Sequence, residues 1–124
     1  MREEVKRWIK LADEDFDSAK INFYNKKYYV CAFLCQQCAE KSLKALFLKK
    51  KGIVPRVHDL VFLGKKIGLN EDILKDCDEL SKVYIETRYP DAGEELPSEK
   101  FDKIKTKKFL ELSKKLLKWI KKNI

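Results

Sequence analysis

Arg88 is the side chain of this sequence best suited to hold a phosphate. Its guanidinium is permanently charged and presents a planar fork of donors that matches two phosphate oxygens. It stands near the end of a helical pattern, in a phase between those of Leu74 and Cys77. A helix that persists that far aims Arg88 at the interior, and a buried arginine must be paired. One reading makes it a partner of the helix C-terminus or of Asp91, Glu94 or Glu95. The other makes it a phosphate fork at the mouth of a cleft, walled by Tyr89 and the acidic segment that holds Asp91. Arg88 and Asp91 are the candidate catalytic groups.

His58 is the only histidine and precedes Asp59-Leu60 at a helix start. A lone histidine cannot build a metal site, although imidazole can serve as a general acid or base. Gln37, Glu40, Lys41 and Lys44 fall at i, i+3, i+4 and i+7, with Gln36 alongside. This stripe is either a solvent face or a polar groove or homodimer seam that meets a ligand or a second subunit. Gln37 and Glu40 are the candidates for the seam. Lys41, Lys44 and His58 join Arg88, Tyr89 and Asp91 as candidate phosphate contacts. The C-terminal stretch carries Lys107, Lys108, Lys114, Lys115, Lys118, Lys121 and Lys122 against Glu111 alone. It suits a phosphate backbone or an acidic protein, and equally a solvated face.

Cys31, Cys35 and Cys38 share the C-x3-C-x2-C spacing of radical enzymes that bind an iron–sulfur cluster. Those enzymes need a βα barrel, for which this chain has neither the strands nor the length. Spacings of four and three place the cysteines on one helical face, where buried Cys packs as a small hydrophobe. Cys77 lies on the inner stripe of another helix and could approach them. Packing is the reading, with no metal and no cofactor, and a disulfide framework is not expected in a reducing compartment. There is no Gly-rich phosphate loop, no Ser/His/Asp set and no carboxylate dyad.

Helices must position these groups. Val5, Trp8, Ile9, Ala12, Phe16, Ala19 and Phe23 fall within one arc of about 100°, predicting an amphipathic helix over 2–24. A turn at Asn25-Lys26-Lys27 leads to a second helix from Tyr28 to Lys50, apolar on nearly every side over Tyr28 to Leu34. Gly52 ends it and Pro55 prevents its resumption. A short helix follows from Asp59 to Lys66, with Gly68 as its stop. Asn70 caps a fourth from Glu71 to Thr87, with Ile73, Cys77, Leu80 and Tyr84 inward. Phe109, Leu112, Leu116 and Ile120 define the last helix, with Thr106 as N-cap. Phe101 and Ile104 are out of phase with it, so 89–105 is expected to be mostly non-helical. The expected fold is all-α, an antiparallel up-and-down four-helix bundle with one additional short helix, a single domain over 1–124. Long connections in compact domains are disproportionately functional.

Composition narrows the function classes. Hydrophobic residues make up 44% and charged residues 39%, too apolar a balance for a disordered chain. No apolar run reaches membrane-spanning length, and the opening Met1-Arg2-Glu3-Glu4 has no leader character, so the expected location is cytoplasmic. The net charge of +8 favours polyanionic partners. Lysine supplies 24 of the 28 basic residues, a Lys/Glu enrichment that is also a hyperthermophile signature.

The run Gln36-Gln37-Cys38-Ala39-Glu40-Lys41-Ser42-Leu43-Lys44-Ala45-Leu46, then Gly52, then His58-Asp59-Leu60, then Arg88-Tyr89-Pro90-Asp91 resembles the HEPN domain (higher eukaryotes and prokaryotes nucleotide-binding). The likeness covers nearly the whole chain and points to the small stand-alone prokaryotic members, often encoded beside a minimal nucleotidyltransferase. It implies a helical bundle that dimerises with a cleft near the dimer axis. In many members that cleft is a metal-independent ribonuclease, with an Arg followed four to six residues later by His, and such proteins can act as toxins. Arg88 matches the family's Arg, but residues 89–124 contain no His, and His58 matches the family's helix-start position.

Cleavage through a 2′-hydroxyl needs a proton acceptor and donor, which an always-protonated Arg88 cannot be. The leading expectation is therefore a dimeric module that binds a nucleotide or RNA phosphate and partners a minimal nucleotidyltransferase in a toxin–antitoxin-like pair. A residual ribonuclease and a scaffold that docks through the Lys-rich helix are the alternatives.

Overall fold

The computed structural model describes residues 2–89 and 95–124. Six helices organise them, with no strand among the described residues: α1 (Glu3–Tyr24), α2 (Tyr28–Lys51), α3 (Leu60–Lys66), α4 (Glu71–Arg88), α5 (Pro97–Lys100) and α6 (Lys103–Asn123). The fold is the expected all-α bundle. Helix α2 is its axis and packs against every other helix, which is why a stretch so poor in amphipathic contrast is still a helix.

Local chemistry sets the boundaries. The α1–α2 turn closes with Asn25 N–H donating to the Ile21 carbonyl and with Lys26 left-handed at φ 61°. Gly52 ends α2 at φ 76°, a conformation that costs glycine little, and donates back to Leu48. The Asp59 carboxylate caps α3 by accepting from Val61 and Phe62 N–H at 3.0 and 3.2 Å. Asp59→Ala is expected to cost about 1 kcal/mol, read as a lowered urea midpoint with an unchanged slope.

The core gathers Leu43 and Leu46 of α2, Leu60 and Leu63 of α3, Leu80 of α4, and Leu116 and Ile120 of α6, all essentially sealed from solvent. All four cysteines are free and buried within it, and no cluster of potential metal ligands occurs among the described residues. The hydrogen bond between Cys31 and Cys35 lowers the first thiol and raises the second. Burial pushes Cys38 far up and Cys77 up to about 12.

The connection after α4 departs from the expectation. Its first part, 90–94, lies outside the described residues, and with it Asp91. The rest is more helical than its pattern suggested. Pro97 opens the single turn of α5, whose Glu99 carboxylate accepts from Leu96 N–H at 2.9 Å. Helix α6 starts at Lys103, with Asp102 rather than Thr106 as its N-cap, accepting from Lys105 N–H at 2.8 Å. Phe101 is out of phase because it sits between the helices, buried beside Phe109 with ring centres 6.1 Å apart. Ile104 is out of phase because it is simply exposed, at 84%.

Candidate functional site

Tyr84 and Arg88 are four residues apart in the last turns of α4, a spacing that stacks one side chain over the other. Arg88 Nη1 donates to the Tyr84 carbonyl at 3.0 Å. The guanidinium carbon lies 3.7 Å from the centre of the Tyr84 ring and 4.5 Å from that of Phe33 on α2. His58, from the α2–α3 connection, lies nearly parallel to Tyr84 at 4.6 Å, with 19° between the rings. A guanidinium centred on one face of Tyr84 leaves only the other face for an imidazole this close. The order is therefore Phe33, Arg88, Tyr84, His58.

The far end of this stack returns to α2. His58 Nδ1 lies 3.1 Å from both carboxylate oxygens of Glu40. Phe33 and Glu40 are seven residues apart, about 10.5 Å along the axis of α2. Each cation–aromatic contact contributes about 0.5–2 kcal/mol, so the stack holds Arg88 in place.

Glu40 is 3% exposed and accepts from Gln36 Nε2 at 3.0 Å, Lys44 Nζ at 3.1 Å and His58. Burial pushes its carboxyl up, but the hydrogen bonds from Gln36, Lys44 and His58 outweigh that and hold it below the ordinary 4.5. A carboxyl depressed by folding stabilises the folded state above its unfolded value, and that stability is lost as pH falls. The urea midpoint is accordingly expected to fall on acidification below about pH 4.5, and Glu40→Gln to flatten that dependence. An ionised Glu40 can only accept, so Nδ1 carries the proton and Nε2 is left for the cleft.

The polar stripe is a connected network. Gln37 Nε2 donates to Gln36 Oε1 at 2.7 Å, and Lys41 Nζ donates to Gln37 Oε1 at 2.8 Å. Lys44, only 8% exposed in its side chain, lies 5.9 Å from the centre of the Trp8 ring. The solvent-face reading therefore fails for Glu40 and Lys44, because α1 and the His58 connection cover that part of α2. Gln37 and Lys41 are half-buried.

His58, Asp59, Ser81, Tyr84 and Ile85 line a cleft of about 220 Å³ at the end of the stack. A larger hollow of about 500 Å³ between α3, α4 and α6 is lined by mixed Lys, Asp and Glu side chains and contains none of these groups. Tyr89 is exposed just beyond α4. On α6, Lys115 pairs with Asp76 at 2.8 Å, Lys108 with Glu79 and Lys121 with Asp13, so part of the basic face is engaged in ion pairs with neighbouring helices at the surface. Sequence spacing brought neither Phe33 nor Ser81 to notice. The Tyr84–Arg88 pair was legible from its interval alone.

A family model for the HEPN domain matches residues 5–124. The chain superposes on TT1696 from Thermus thermophilus with a TM-score of 0.91 and 26% identity, over 99% of this chain and 100% of that one. It superposes on ST0689, described as an archaeal HEPN homologue, with a TM-score of 0.83 and 33% identity, over 99% and 98%. No curated protein matches the sequence.

Proposed function

The chain belongs to the HEPN domain family, and from that premise we propose that it binds a nucleotide or an RNA phosphate through Arg88. The observation that carries this is the clamping of the guanidinium between Phe33 and Tyr84, with Tyr84 itself lining the cleft that holds His58. A fork held by its faces presents its edge, which is the geometry of bidentate phosphate recognition. Lys41 and Tyr89 are further contacts, and Asp91 follows Arg88 closely enough in the chain to adjoin the ligand. The module works as a homodimer and as partner to a minimal nucleotidyltransferase in a toxin–antitoxin-like pair. Labelled RNA titrated into the protein tests the binding. Saturable, salt-sensitive affinity supports it, and no binding at low salt ends it.

One observation favours a second reading, a metal-independent ribonuclease. His58, distant in sequence, shares Tyr84 with Arg88 and has its Nε2 left to exchange a proton. Incubation of RNA with the protein in chelator decides this: intact RNA leaves a binding module.

A further inference from the structure

We propose that His58 is the second arm of the anion site, and that the site takes a terminal phosphate monoester together with one proton on His58 Nε2. The inference rests on the reading that Arg88 holds a phosphate, and names the phosphate class it selects. Tyr84 acts as a spacer, with the guanidinium 3.7 Å from its centre on one face and the imidazole 4.6 Å away on the other. A phosphate placed at the edge of the ring, in its plane, would lie between the guanidinium on one side and the imidazole on the other. Two hydrogen bonds of about 2.9 Å and the breadth of the phosphate fill that separation.

The charges around His58 decide which phosphate. From α2 it faces Glu40, with Lys44 behind; from α4 it faces Ser81 and Tyr84, with Arg88 on the far face of the tyrosine ring. In its own segment lie Arg56 and Asp59, and the Asp59 carboxylate is turned to the α3 N–H groups. Lys44 also pairs with Glu40, and Glu40 fixes the ring through Nδ1. A diester, with one negative charge, is matched by Arg88 alone. A monoester dianion brings a second charge, which is met when Nε2 takes a proton from solvent and becomes a donor. No covalent bond forms or breaks, and His58 is half-exposed, at 51%, so the proton has access.

The test is calorimetric titration above neutral pH with a 5′-phosphorylated dinucleotide and with the same dinucleotide lacking that phosphate. Each is run in two buffers of different ionisation enthalpy. The phosphorylated ligand is expected to bind at least tenfold tighter, with an apparent enthalpy that tracks the buffer and reports proton uptake. His58→Asn places an amide near Nδ1, keeping the bond to Glu40 while deleting Nε2. It should abolish both the preference and the uptake while leaving the weaker binding of the unphosphorylated ligand. Equal affinities, or uptake that persists in His58→Asn, overturn the proposal and leave Arg88 as the sole phosphate contact. Failure of both ligands to bind the wild-type protein overturns the phosphate reading itself. Circular dichroism of His58→Asn confirms that the comparison is made on a folded chain.

Discussion

Glu40→Ala is expected to destabilise the protein by about 3–5 kcal/mol, read as a large drop in the urea midpoint. The carboxylate is the acceptor for Gln36, Lys44 and His58 at once. Its removal leaves the Lys44 ammonium buried, with the ring of Trp8 as its nearest compensation, and leaves the Gln36 amide without its acceptor. The unpaired charge is the larger of these costs, because a buried neutral donor without a partner costs about 1–3 kcal/mol. That ranking has its own check. Adding Lys44→Met to Glu40→Ala removes the charge and fills the space with an apolar chain, so the double variant should recover a substantial part of the loss. A double variant no more stable than Glu40→Ala would show that the buried charge is not what the carboxylate neutralises.

Arg88→Ala should weaken binding of RNA or nucleotide by about 10- to 100-fold, since a hydrogen bond to a charged group contributes about 1.5–3 kcal/mol. Arg88→Lys keeps the charge but loses the planar fork and the flat contact with Phe33 and Tyr84, so it should fall between wild type and Ala. The fold should survive both changes, because Arg88 is in the last turn of α4 and only half-buried. Fluorescence anisotropy with labelled RNA over a salt series gives the answer. Affinity should drop in Arg88→Ala, and the salt slope should shrink by about one for the lost phosphate contact. Unchanged affinity in a folded Arg88→Ala variant would sink the phosphate-fork role.

Much of the bundle could be read directly from spacing. Asn70 signalled its helix because capping is local chemistry that needs no tertiary context. Gly52 marked the end of α2 for the same reason. Apolar phase alone misplaces the start of α6. Phe101 is buried from outside a helix, whereas Ile104 is within one and faces water. Periodicity reports burial only when a residue is buried by its own helix face.

Some members of the cluster stood out in the sequence, Phe33 and Ser81 did not, and their arrangement was not legible at all. Arg88, Glu40 and Lys44 were visible as candidates, and Tyr84 as an inward residue. That His58 and Arg88 share one tyrosine depends on how the α2–α3 connection lies across α4, which no interval in the sequence encodes. The same crossing turns the stripe on α2 from an apparent surface into a buried network.

The four free thiols of the core have a consequence for how this molecule can be observed. Three sit on successive turns of α2 and the fourth is on α4, all fully enclosed. With burial holding Cys38 and Cys77 protonated, a thiol-directed reagent finds neither exposed sulfur nor reactive thiolate there. Modification must wait until α2 parts from its neighbours. The native cysteines are thus an intrinsic clock for core opening, already distributed along the central helix and needing no engineered label. Each alkylated site, resolved by mass spectrometry, records whether that helix opens from one end or leaves the bundle as a unit.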